Sequence, residues 1–123
     1  MPLIITDMNI VAIIGSRAIT DFDMSIIKVK PDTIITGGAN GVDTLAIEYA
    51  NKNSIPVIVI KPDYKKYGKA APLIRNRRII SLANEVIAIW DGFSKGTEYT
   101  IKFAEKMLKP VTILMPIVNE TRC

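Results

Sequence analysis

The stretch Thr33-Ile34-Ile35-Thr36-Gly37-Gly38-Ala39-Asn40-Gly41-Val42-Asp43-Thr44-Leu45-Ala46-Ile47-Glu48-Tyr49-Ala50 decides the fold. Its first four residues form a short Ile-centred run of the kind that fills a strand buried on both faces. Val42, Leu45, Ala46, Tyr49 and Ala50 then recur at i, i+3, i+4, i+7 and i+8, one apolar stripe of a helix. Between them lies a glycine-rich turn. Strand, turn and helix in that order make one half of a βαβ unit.

The same grammar extends in both directions. Asn9–Ile14, Ile55–Ile60, Glu85–Trp90 and Pro110–Leu114 are further Val- and Ile-rich runs that read as strands. Helices are expected from about Thr20 to Lys28, from about Ala71 to Ala83 with Pro72 in the first turn, and along the stripe Thr97, Ile101, Ala104 and Leu108. Alternation over the whole length predicts a single α/β domain, 1–123, with a doubly wound sheet of about five mostly parallel strands. No repeat, low-complexity tract or linker interrupts it, and the tail 116–123 is expected to be a poorly ordered end or an oligomer contact.

Right-handed crossovers bring every strand-to-helix turn to the C-terminal edge of a parallel sheet. Three glycine-bearing turns should therefore meet there: Gly15-Ser16-Arg17, Gly37-Gly38-Ala39-Asn40-Gly41, and Asp91-Gly92 running on to Gly96-Thr97. Glycine lets bare backbone approach a ligand, and a helix beginning at that point aims N–H groups at an anion.

Composition narrows the chemistry. With 49% hydrophobic and 23% charged residues the chain reads as globular, and no uncharged stretch approaches the ~20 residues of a membrane span. The N-terminus has no basic region and Asp7 interrupts its apolar start, so a signal peptide is not expected. The one cysteine, Cys123, rules out an internal disulfide and fits a cytoplasmic location. The absence of histidine removes His-based triads, imidazole acid–base catalysis and the usual His/Cys zinc sites. No metal is called for, and a bound nucleotide would be the only reason for Mg2+. From Lys61 to Arg78 seven basic residues face one acid, a local +6 in a chain of net +4, leaving −2 elsewhere. Such a local field points to an anionic partner, with a solvated lysine-rich loop as the plain alternative.

Each turn has a binding reading and a structural one. Gly15 can admit a ligand while Ser16 donates a hydrogen bond and Arg17 forks onto phosphate; otherwise the triplet is a turn. Gly37, Gly38, Ala39, Asn40 and Gly41 can form an anion nest, and Asp43 either touches the ligand or favours the helix dipole. The pattern is neither GxGxxG nor a P-loop. Arg75 and Arg78 share a helix face while Arg77 points away, and Arg75 lies nearest the rim. Asp91, Gly92, Ser94, Gly96 and Thr97 again suit phosphate, with helix capping by Thr97 and Glu98 as the alternative. Trp90, Tyr64 and Tyr67 can stack on bases or serve the core and surface.

Read in order, GSR, GGANGVDTLAIEYA, PLIRNRR and VIAIWDGFSKGTEYTIKFA resemble the SLOG superfamily of Rossmann-like nucleotide-binding proteins. That superfamily includes DprA (Smf) and the LOG phosphoribohydrolases, and the likeness is greatest to its small single-domain YspA-like branch, from Asn9 to Leu114. The resemblance implies nucleotide binding along the glycine rim through Gly15, Ser16, Arg17, Gly37, Gly38, Gly41, Asp43, Arg75, Asn76, Asp91, Gly92, Ser94, Gly96 and Thr97. LOG enzymes cleave a nucleotide N-glycosidic bond with a PGGxGTxxE-like stretch. Here Thr100 stands where they place the carboxylate, and Glu98 falls on another helix face.

Three functions follow as expectations. The first is a binding, sensing or sequestering module for a nucleotide or nucleotide-derived molecule. The second is a LOG-like N-glycosidase using Asp43, Asp91 or Glu98. The third is DprA-like single-stranded DNA binding through the Lys61–Arg78 stretch. Pairing into a homodimer is implied by the resemblance alone, and no membrane partner is expected.

Overall fold

Five apolar runs become five parallel strands in a computed structural model that describes residues 8–117. They are β1 (Ile10–Gly15), β2 (Thr33–Thr36), β3 (Val57–Val59), β4 (Glu85–Ile89) and β5 (Val111–Leu114), side by side in the order β3-β2-β1-β4-β5. Every pairing is parallel. The sequence reason is visible in the burial. Val11–Ile14, all of β2 and Val86–Ile89 are buried, because these central strands carry apolar side chains toward both faces. β3 and β5 are the edges, where Ile58 and Ile113 remain 45% and 42% exposed. The architecture is Rossmann-like, and the expected sheet is the one observed.

Four α-helices accompany it: α1 (Val42–Lys52), the short α2 (Tyr64–Tyr67), α3 (Ala71–Leu82) and α4 (Lys95–Lys106). One face of the sheet packs Val11, Ile13, Ile34, Ile87 and Ile89 against α1 and the β1–β2 connection. The other packs Ala12, Ile14, Ile35, Val86 and Ala88 against α3 and α4. Alternate residues of one strand thus serve opposite layers, and each fully buried Val or Ile contributes ~1.5–3 kcal/mol. No helix among the described residues is long and apolar enough to cross a membrane. Cys123 and positions 118–123 of the predicted tail lie outside the described residues.

Two expectations need correction. The helix predicted for Thr20–Lys28 does not form; a single 3-10 turn at Met24–Ile26 stands in its place. Ile19, Phe22, Met24, Ile27 and Val29 all pack on the sheet, yet their spacing of 3, 2, 3 and 2 fits no helical stripe. Asp23 stops any helix from starting earlier, because its side chain caps the turn through the Ser25 N–H at 3.0 Å. Leu108 also leaves its expected stripe. α4 closes with the Leu108 N–H donating to Glu105 O and the Lys109 N–H to Ala104 O, a Schellman ending. Leu108 occupies its left-handed position at φ 60° and is 89% exposed.

The chain runs outward from β1 through β2 to β3, then crosses back to β4 and β5. β1 and β4 are therefore the neighbours from which the crossovers diverge, and a crevice opens beyond their C-terminal ends. Gly15 allows the junction. A Cβ there would overlap the Ile89 carbonyl oxygen and lie 2.8 Å from Val42 Cγ2. Gly15→Ala is accordingly expected to destabilise the fold by ~1–3 kcal/mol or more, read as a lowered midpoint in urea. An unchanged midpoint would contradict the close approach of β1, β4 and α1.

Candidate functional site

The crevice beyond β1 and β4 has a volume of about 380 Å³. Gly15, Ser16, Arg17, Ala39, Asp43, Arg75, Asn76, Asp91, Ser94, Gly96 and Thr97 line it, so all three predicted turns contribute. Ile14, Ala18, Pro72, Leu73 and Thr100 complete the wall.

Ser16 fastens the crevice floor. Its N–H donates to Ile89 O at 3.1 Å, and its carbonyl accepts from the N–H groups of Ile19 and Val42, both at 3.3 Å. Its hydroxyl accepts the Asp91 N–H at 3.1 Å and also serves the Asp91 carboxylate. Ser16 is wholly buried. The predicted donor is therefore engaged within the protein, linking the β1 and β4 turns. Asp91 Oδ1 accepts the N–H groups of Phe93 and Ser94, each at 2.8 Å. These donors, Phe93 first, hold the Asp91 carboxyl below its ordinary value.

Asp43 and Arg75 meet around Gly37. A Cβ on Gly37 would stand 2.7 Å from Arg75 Nη1 and 2.8 Å from Asp43 Oδ2, so only glycine fits between them. Asp43 Oδ1 accepts the Thr36 hydroxyl at 3.0 Å, and Oδ2 the Ala39 N–H at 3.0 Å. Burial pushes the Asp43 carboxyl up, against these donors and the Arg75 charge. Arg75 is only 7% exposed. Its Nη1 donates to Gly37 O at 2.6 Å and to Ile60 O at 3.3 Å, and its Nε to Asn76 Oδ1 at 2.7 Å. Among the described residues Nη2 has no acceptor, and because no buried side-chain nitrogen lacks a partner, it keeps contact with solvent. Burial pushes the guanidinium down, Asp43 pulls it up, and the nearby Arg17 lowers it further.

The relay continues into α4. Asn76 Nδ2 donates to Thr100 Oγ1 at 3.0 Å, and Thr100 Oγ1 donates to Gly96 O at 2.9 Å. α4 is capped by Ser94, whose hydroxyl accepts the Thr97 N–H, while the Lys95 and Gly96 amides have no acceptor among the described residues. Gly96 meets nothing within 4 Å where a Cβ would be. Arg17 is exposed and forms no hydrogen bond or ion pair with the described residues.

The other predicted residues divide. Gly37, Gly38 and Asn40 line an adjoining hollow with Arg17, Ala39, Pro62, Tyr64 and Arg75. Gly41 and Gly92 line neither space; Gly41 packs under the Ser16 and Arg17 carbonyls. Glu98 also lies outside and bridges Lys95 and Lys102 at 3.8 and 3.4 Å. Arg77 donates to the Tyr99 hydroxyl at 2.7 Å, away from the crevice. Trp90 is half-buried in the core, its indole N–H bonded to Ser94 O at 3.0 Å. The sequence alone did not assign Thr36, Pro72, Leu73 or Thr100 to the site. The buried threonines carried one signal, a hydroxyl placed in an otherwise apolar strand or stripe. Among the described residues no three potential metal ligands gather.

Asp91 supplies a pH test. Its folded-state value is depressed, so its ionised form contributes stability above the ordinary carboxylate range, and that contribution is lost as pH falls below about 4. Asp91→Asn should be less stable than the parent at pH 7, with the gap narrowing in thermal melts as pH falls from the ordinary carboxylate range through the lowered folded-state value. A gap independent of pH would refute the assignment.

Residues 9–67, spanning the first two glycine turns, match the family model described as YspA, cpYpsA-related SLOG family. No curated protein and no solved structure shows significant similarity to the chain. With the parallel sheet, its switch point and the glycine rim in place, the match over residues 9–67 supports membership of the SLOG superfamily.

Proposed function

We propose that the crevice binds a nucleotide or nucleotide-derived small molecule, making the protein a sensor or sequestering module. The observation that carries this reading is the imbalance of hydrogen-bonding capacity around the cavity. Asp43 has both oxygens occupied and Asp91 has one, whereas Arg17 and Arg75 Nη2 have no acceptor among the described residues. The site is therefore short of an anion. A phosphate between the two guanidiniums and the uncapped amides of Lys95 and Gly96 supplies one. Asp91 Oδ2 suits a sugar hydroxyl, and Pro72 and Leu73 offer an apolar wall for a base.

The hydrolase reading has less support. Glu98 is outside the crevice and both Asp43 oxygens accept hydrogen bonds, which leaves Asp91 alone to stabilise a sugar cation or activate water. The single-stranded DNA reading rests on exposed lysines beside Tyr64 and predicts binding that falls steeply with salt.

Calorimetry with nucleoside mono- and diphosphates tests the proposal. Arg17→Ala should weaken the best ligand by tenfold or more, since a charge-assisted hydrogen bond contributes ~1.5–3 kcal/mol. Gly96→Ala separates ligand from fold. Its space is empty and alanine is the better helix former, so stability should hold or rise by up to ~0.5 kcal/mol while binding weakens. Affinity unchanged in both variants would overturn the reading.

A further inference from the structure

The two hollows share Arg17, Ala39 and Arg75. The smaller, about 260 Å³, extends from those guanidiniums toward the β3 side, between the Gly37–Asn40 turn and the segment carrying Pro62 and Tyr64. Nothing in the mononucleotide reading uses it. We propose that the site takes a two-armed ligand, a dinucleoside joined through a pyrophosphate. The bridge lies at Arg17 and Arg75, one nucleoside fills the crevice, and the other lies against Tyr64 and Pro62. This rests on the nucleotide reading and specifies its ligand.

Charge, shape and size each support the two arms. A pyrophosphate diester carries two negative charges and continues at both ends, which matches two guanidiniums at the waist of two cavities. A terminal monoester would instead stop at the waist and leave the smaller hollow empty. Tyr64 is 56% exposed as a residue, on a turn fixed by Asp63, whose carboxylate accepts the Lys66 N–H at 3.1 Å. Tyr64 lines the same hollow as Arg17 and Arg75, so it borders the waist itself. An exposed aromatic face there is a stacking surface for any base. The main crevice alone, about 380 Å³, stands near the lower bound of small-molecule pockets, and the added hollow brings the site well inside their range.

The test compares each of the four nucleoside 5′-monophosphates with its symmetrical P1,P2-dinucleoside diphosphate by calorimetry. At least one dinucleoside diphosphate should bind roughly tenfold tighter than the matching monophosphate. Tyr64→Ala should remove that advantage and leave monophosphate affinity within about twofold, whereas Tyr64→Phe should retain it. Thermal melts establish that both variants fold. Equal affinity for the two classes, or a Tyr64→Ala loss shared by both, overturns the two-armed ligand and leaves the nucleotide reading standing. No binding by either class overturns both.

Discussion

The architecture of the rim turns on one buried cation. Arg75 reaches back from α3 and donates through a single nitrogen to the carbonyls of Gly37 and Ile60, the residues that follow β2 and β3. Removing a guanidinium from water is costly, and that cost is met only by well-placed acceptors. Two carbonyls and the Asn76 amide oxygen provide them, and the Asp43 charge lies nearby. The turn after β2 is thereby held open. Gly37 must lack a side chain, Asp43 must face inward, and Ala39 must offer its N–H to the carboxylate. Losing Arg75 would leave Asp43 without its countercharge as well as two carbonyls without a donor.

From that pin the site follows by continuity. Asn76 transmits the position of Arg75 to Thr100, and Thr100 to the carbonyl of Gly96 at the start of α4. Ser16 performs the same service on the other side, joining β1 to the Asp91 turn. Among the described residues Ser16, Asp43, Asn76 and Thr100 all have partners, and the groups left over are the Arg17 guanidinium, Arg75 Nη2, the helix-terminal amides and one carboxylate oxygen, Asp91 Oδ2. Of the donors in the proposed anion site, Arg75 and the α4 amides are held in place by the fold, while Arg17 stands free in solvent.

Much of this was legible in the sequence. Strands β1, β2 and β4 were readable because continuous apolar runs are the mark of a sheet covered on both faces, and their glycine turns then had to share an edge. The β1–β2 connection was not readable as it stands. Its apolar residues pack on the sheet without helical spacing, so local pattern and tertiary contact disagree there. The Schellman endings at Ser54 and Leu108 were hidden for another reason: neither left-handed position holds the glycine that normally betrays it. Among the site residues, Arg17 and Arg75 were identifiable by type, but not their division of labour. That Arg75 turns inward while Arg17 stays in solvent depends on which carbonyls the folded rim leaves in need of a donor. Helical phase correctly set Arg77 apart, and the structure gives it Tyr99 as a partner. The hydroxyls of Thr36 and Thr100 mattered only once Asp43 and Asn76 were seen beside them.

The most direct measurement is the map of backbone amide shifts in a 15N-labelled sample titrated with a nucleoside diphosphate. The account predicts that the largest changes fall on Gly15, Arg17, Ala39, Gly96 and Thr97, around the crevice between the ends of β1 and β4. Changes concentrated instead around Asp21–Ser25 and Glu48–Asn53, where a separate hollow of about 610 Å³ lies on the α1 side, would contradict it.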